Sequence, residues 1–195
     1  MDILLSICLG IGMSAACGFR VFIPLLVMSI ASLSGHLTLS HGFEWIGTYT
    51  AFAVFAIAAV FEVGAYYIPW LDNLMDSITG PVTVAAGILV TASSIVHMSP
   101  LLKWSLAIIA GGGTAAIFRA VTTFMRGAST AATGGIGNPL LATAEIGIAS
   151  GLGILSIAVP ILGFAVVLLL IVSILFRRIW RIVVPKRTQV GRKSI

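Results

Sequence analysis

From Ile3 to Leu33 the chain is almost wholly apolar, and one charged residue, Arg20, stands in the middle of it. A helix needs roughly 20 apolar residues to cross the hydrocarbon core of a bilayer. About 31 residues would reach some ~46 Å, too long for one upright span. The helix must therefore tilt strongly, or break near Gly18 or before Pro24, since a proline removes a helical hydrogen bond and bends the chain. Backbone groups freed by a break in lipid must be buried in protein or line a wet cavity. An ionised side chain at that depth costs from ~3 to well over ~10 kcal/mol, which makes Arg20 a functional candidate.

The same device returns about a hundred residues later. Gly12-Met-Ser-Ala-Ala-Cys-Gly-Phe-Arg20 is echoed by Gly111-Gly-Gly-Thr-Ala-Ala-Ile-Phe-Arg119, a run of small residues ending in Phe-Arg. With 59% hydrophobic and 9% charged residues in 195, the composition excludes an ordinary soluble domain, whose charged fraction is about a quarter. Six spans are expected. The first is 3–33, followed by a polar loop at 34–47. The second runs about 48–67 and closes on Tyr66-Tyr67-Ile-Pro-Trp70, read as an interfacial aromatic belt. Residues 71–78, with apolar positions at i, i+3, i+4 and i+7, predict a short amphipathic helix in the interface whose wet face carries Asp72 and Asp76. Prolines open the remaining four: Pro81 to about Val96, Pro100 to about Met125, Pro139 to about Ile157 and Pro160 to about Ile182. Ser99 and Asn138 suit N-caps. The small-residue segment 126–138 reads equally as a flexible loop or as a re-entrant turn lining a pocket.

Seven of the eleven Lys and Arg residues fall in the last nineteen positions. Directly after a hydrophobic span, such a tail follows from the positive-inside rule rather than from nucleic-acid binding. It places the C-terminus in the cytoplasm, and six spans bring the N-terminus there too. The implied location is the inner (plasma) membrane. Met-Asp-Ile-Leu-Leu at the start lacks a basic n-region and is read as part of a retained span. Trp45, Trp70, Trp104 and Trp180 fall near expected membrane faces. Cys8 and Cys17 have no metal spacing and are not expected to pair. His36, His41 and Glu44 match no strong ligand motif and read as solvated loop residues.

A second echo follows the first. Ala59-Val-Phe-Glu62-Val-Gly64 in span two matches Ala142-Thr-Ala-Glu145-Ile-Gly147 in span five. Each half is then a Phe-Arg span, a Glu-x-Gly span and a third span opened by proline. Three spans per half is odd, so the halves insert in opposite orientations. Inverted repeats with a site near the midplane are a common transporter plan. The expected organisation is an all-α polytopic membrane helix bundle of two inverted three-helix repeats, 1–97 and 98–182, each with a first helix open to breakage or re-entry. Residues 183–195 form a basic cytoplasmic tail.

Arg20, Arg119, Glu62 and Glu145 are expected to be the only charges far from an interface. One reading makes them two buried salt bridges that fix the helices. The other makes them a central site: the arginines hold an anionic group bidentately, and a glutamate takes up and releases a proton. Gly64 and Gly147 would let neighbouring backbones come close, and Asn138 completes the candidate set. The function expected is a secondary transporter or flippase for a small anionic or amphipathic solute or lipid headgroup. No cofactor, metal or nucleic acid is required, and a homo-oligomer is admitted. The chain lacks an intramembrane His, a Gly-x-Ser-x-Gly elbow and a His-Glu-x-x-His pair, so an enzyme is not expected. A non-transporting scaffold or accessory subunit remains a rival, since small-residue faces also serve helix association.

Three runs carry a resemblance: Gly12 to Pro24, Phe61-Glu62-Val-Gly-Ala-Tyr-Tyr-Ile-Pro-Trp-Leu-Asp72, and Ala132-Thr-Gly-Gly-Ile-Gly-Asn-Pro139. Together they resemble an uncharacterised bacterial integral-membrane family, a domain of unknown function, which implies membrane residence and no particular activity. The Glu-x-Gly pair is similar to the duplicated Glu-x-Gly-Asp signature of six-span manganese and calcium exporters. That likeness implies a divalent-cation transporter as an alternative, although Ala65 and Ile148 stand where the exporters have Asp. Arg20-Val-Phe-Ile-Pro is loosely similar to an Arg-Phe-x-Pro run of lipid-carrier flippases.

Overall fold

Proline and glycine punctuate the chain where its helices stop. A computed structural model describes the backbone of residues 2–183 and, of these, the side chains outside 69–77 and 177–183. Seven helices follow in order: α1 (Ile3–Phe19), α2 (Phe22–Leu33), α3 (Tyr49–Ala65), α4 (Pro69–Ser94), α5 (Pro100–Thr133), α6 (Asn138–Ala158) and α7 (Pro160–Val183). A single 3-10 turn, Glu44–Gly47, precedes α3. Among the described residues there is no strand.

The first apolar run is broken where expected. Arg20 N–H still bonds to Ala16 O at 3.1 Å, closing α1, but Arg20 itself is extended (φ −143°, ψ 131°). Pro24, with no N–H, could not have returned a bond to the Arg20 carbonyl, so a continuous helix would lose a bond there. The matching run in the second half is not broken. α5 is continuous through Arg119 and absorbs its irregularity as a π turn at Ala107–Gly112. There the Ser14 hydroxyl of α1 donates to Gly111 O.

Two other boundaries differ from the sequence reading. The short amphipathic helix and the third span are one element, because α4 runs from Pro69 through Pro81 without interruption. The segment 126–138 is neither loop nor re-entrant turn for most of its length. α5 continues to Thr133, and only Gly134–Gly137 connect it to α6, with Gly134 (φ 64°) and Gly135 (φ 92°) in the left-handed region that favours glycine. Asn138 is therefore the first residue of α6 and not its cap, which is Gly137.

α1 is the central helix. It packs against α4, α5, α6 and α7, so the opening helix of the chain contacts every helix of its second half. Small residues allow this. A Cβ on Gly10 would lie 3.0 Å from Thr91 Cα, and one on Gly87 would lie 3.1 Å from Gly111 O. At Gly64 and Gly147 the opposite holds: an added Cβ meets nothing within 4 Å, so neither glycine brings backbones together.

The distribution of polarity is inverted relative to a protein in water. Arg20, Arg119, Arg126, Glu62 and Glu145 are buried, while Tyr49, Val60, Phe61, Phe124, Leu140 and Leu169 face outward. Adjacent residues on α3 make the point: Phe61 is 74% exposed and Glu62 6%. Large contiguous apolar surface of this sort marks a membrane or partner contact. Among the described residues two helices, Pro100–Thr133 and Asn138–Ala158, are long and apolar enough to cross a membrane, and five shorter apolar helical segments accompany them. The side chains of Asp72, Asp76, Trp70 and Trp180, and the whole tail from residue 184, lie outside the described residues.

Candidate functional site

The break after α1 leaves the N–H groups of Val21 and Phe22 without helical carbonyls, and both find one side chain. Glu62, one turn before the end of α3, accepts from Val21 N at 2.8 Å through Oε1 and from Phe22 N at 3.0 Å through Oε2. A carboxylate at a helix N-terminus satisfies orphan donors and faces the positive end of the helix dipole. Glu62 thus caps α2, and its two oxygens are occupied by backbone and not by an arginine.

Glu145 has the opposite environment. α5 and α6 form a hairpin about the Gly134–Gly137 turn. Arg126 lies about two turns before its apex and Glu145 about two turns after. Arg126 Nε donates to Glu145 Oε1 at 3.0 Å and Arg126 Nη2 to Oε2, a bidentate pair. Arg20 joins from α1: its Nη2 lies 3.1 Å from Glu145 Oε2 and donates to Ala142 O at 3.3 Å. One carboxylate therefore serves two guanidinium groups from opposite halves of the chain. Two further donors of Arg20, Nε and Nη1, are buried and meet no hydrogen-bond acceptor among the described residues.

Tyr66 holds the arginines together. It caps α3, one turn beyond Glu62, and is 2% exposed. The Cζ atoms of Arg20 and Arg126 lie 3.9 and 4.1 Å from its ring centroid, a double cation–π contact. Its hydroxyl is 3.4 Å from Thr79 Oγ1 on α4, and Thr79 also accepts from Arg119 Nη2. Tyr66 and Thr79 thus link Arg20 and Arg126 to Arg119. The two Phe-Arg pairs meet as well, with the rings of Phe19 and Phe118 5.4 Å apart.

Of the residues expected at the site, the structure brings together Arg20, Glu62, Glu145 and Arg119. It moves Gly64 and Gly147 to open surface and uses Asn138 to bond Thr130 Oγ1 at 3.0 Å across the hairpin. Two members were misplaced by sequence reasoning. Arg126 is not the first residue of a loop but a buried helical charge, the fifth among the described residues, and Tyr66 is not part of an interfacial belt. Both carried a helical signal: Arg119, Thr122 and Arg126 are spaced i, i+3, i+7, and Glu62 and Tyr66 are spaced i, i+4.

At the other end of the bundle the loop 34–47 is tied down. Lys103 Nζ donates to Ser40 Oγ at 3.1 Å and lies over the Phe43 ring, while Ser40 N–H donates to Ser93 O at 2.7 Å. His36 Nδ1 is 3.0 Å from Ser34 Oγ, and Glu44 Oε2 accepts from Gly42 N at 2.7 Å. Among the described residues no group of three or more His, Cys, Asp or Glu is arranged to hold a metal ion, and Cys8 and Cys17 are free buried thiols.

Residues 7–180 match the family described as domain of unknown function DUF4126. The chain belongs to that family. The match spans the whole bundle, from α1 into α7, and includes every residue of the charged cluster, so the resemblance carried by the Arg20, Glu62 and Asn138 runs extends over nearly the full chain. No curated protein and no solved structure matches it.

Proposed function

We propose that this protein is a secondary membrane transporter or flippase for a small anionic or amphipathic solute, with Arg20, Arg126, Glu62 and Glu145 at its centre and Arg119 linked to them through Thr79 and Tyr66. The proposed setting is a six-span bundle in the plasma membrane, both termini cytoplasmic, built from two inverted three-helix repeats. The observation that carries the reading is the meeting of Arg20 and Glu145, from opposite halves of the chain, inside a molecule whose outer surface is apolar. Buried ionisable groups at the junction of two repeats are where transporters place substrate and coupling ions. A half-helix that begins at the cluster, as α2 does beside Arg20, is a further feature of such sites. Guanidinium groups select an anion and repel the divalent cation of the exporter-like alternative.

Glu62 is the better candidate for the moving proton, because its partners are neutral backbone groups and not the fixed positive charges that hold Glu145. A static scaffold, in which the charges only lock helices, draws its support from the bidentate Arg126–Glu145 pair. The two are separated in proteoliposomes loaded with inorganic phosphate, succinate or a fluorescent phosphatidylglycerol. Protein-dependent movement of at least one probe, lost in Glu62→Gln, is the expected result. No movement of any of them by folded protein favours the scaffold.

A further inference from the structure

We infer that the N-terminus of α2, together with Arg20, is an oxyanion-binding site in which Glu62 is a displaceable internal occupant. The inference deepens the transport reading by naming the group recognised, and it rests on that reading only for its purpose, not for its chemistry.

Three observations converge. First, α2 is a twelve-residue helix whose N-terminus lies inside the bundle, and the break that creates it presents two adjacent N–H groups, of Val21 and Phe22, to one carboxylate. Paired backbone donors at a helix N-terminus form an anion cradle. Second, that cradle is filled by the carboxylate of Glu62 from another helix, an anion of the shape the site would take from a ligand. Third, Arg20 is the residue directly before the cradle. Arg20 is 1% exposed, and its guanidinium keeps Nε and Nη1 without an acceptor among the described residues. Buried donors left unmade are costly, and a second oxyanion offers what they lack.

A carboxylate, phosphate or sulfonate entering here would take the Val21 and Phe22 N–H groups and bond the open donors of Arg20, displacing Glu62. The Arg126–Glu145 pair need not break. Glu62 is the group that must leave, so ligand entry and release of the α3 carboxylate are one event. That exchange couples the anion to the contact between α2 and α3, and a Glu62 side chain driven off its donors is free to take a proton.

The test is direct binding in detergent, independent of flux. Inorganic phosphate, acetate and dioctanoyl-phosphatidylglycerol are titrated against the full chain by calorimetry, with thermal unfolding as a second readout. An internal carboxylate competes at a high effective concentration, so its removal in Glu62→Ala should tighten oxyanion binding by about tenfold or more. Acetate or phosphate should also raise the unfolding temperature of that variant more than that of the wild type, by mass action. Glu62→Gln, whose amide oxygen can keep one N–H satisfied, serves if Glu62→Ala does not fold, with the same direction expected. Adding Arg20→Ala to either variant should remove the gain. Tighter binding of the lipid than of phosphate assigns the oxyanion to a headgroup, and the reverse assigns it to a free solute. Folded Glu62 variants that bind all three probes no better than wild type, or a gain that survives Arg20→Ala, would overturn the inference. If binding tightens as expected but no probe crosses proteoliposomes, the site stands and the transport reading fails.

Discussion

Arg20 and Glu145 are bound to each other at 3.1 Å, one at the end of the first helix and the other in the sixth. Because Arg126 shares the same carboxylate, Glu145 neutralises two buried cations at once. Breaking a buried pair by deleting one partner leaves an uncompensated charge, at a cost of about 3–5 kcal/mol. Glu145→Ala is expected to lose stability at the upper end of that range, read as thermal unfolding in detergent. Arg126→Ala on that background should recover part of the loss, since one stranded cation goes with it.

Tyr66 separates ring from hydroxyl. Its hydroxyl makes only a 3.4 Å contact with Thr79, while its ring lies under two guanidinium groups. Tyr66→Phe should therefore cost under about 1 kcal/mol, and Tyr66→Ala about 3–5 kcal/mol for the lost ring and the cavity it leaves. Equal losses in the two variants would place the hydroxyl, not the cation–π contact, at the centre of the cluster.

The glycines divide by geometry. Gly87→Ala forces a methyl against Gly111 O and Ser14, where α4, α5 and α1 meet, and should cost about 1–3 kcal/mol. Gly64→Ala and Gly147→Ala meet open space within helices and should be neutral or gain up to about 1 kcal/mol from helix propensity. Unfolding temperatures of the three variants check this directly.

Glu44, in the exposed loop, has its carboxyl held below its ordinary value, chiefly by its own backbone N–H and also by that of Gly42. A depressed folded-state pKa gives a contribution present above the unfolded-state value and lost as pH falls through the folded one. A carbon-detected titration of Glu44 should show a midpoint below that of a model peptide, and Glu44→Gln should remove this part of the acid dependence of loop stability. An ordinary midpoint would mean the Gly42 contact does not persist in solution.

Much of the site was legible because charge in an apolar run is conspicuous. Arg20, Glu62 and Glu145 stand alone among aliphatic neighbours, and Pro24 announced the break beside them. Arg126 was hidden by its setting. The residues after it are Gly, Ala, Ser and Thr, which read as loop by propensity, yet the helix continues because Arg126 pairs with Glu145 and Asn138 bonds back to Thr130. Tertiary bonds overrode local preference there. Tyr66 was mistaken for an interfacial residue because Tyr67 and Trp70 follow it. Tyr67 is exposed, so the aromatic cluster divides between surface and interior one residue apart. The glycines of the Glu-x-Gly echoes were legible as a repeat but not as to role, since one-dimensional spacing does not tell a helix's packed face from its outer one.

In the proposed transporter the charged cluster faces a path open in turn to each side of a membrane. Ala142 lies fully buried on α6 with its carbonyl on Arg20, and replacing Cys8 and Cys17 with alanine leaves a background free of other thiols. On that background the Ala142→Cys variant, in oriented right-side-out and inside-out vesicles, is treated with a charged, membrane-impermeant thiol reagent. Modification from both faces is the predicted result. Modification from one face only, or from neither, would contradict alternating access at this site.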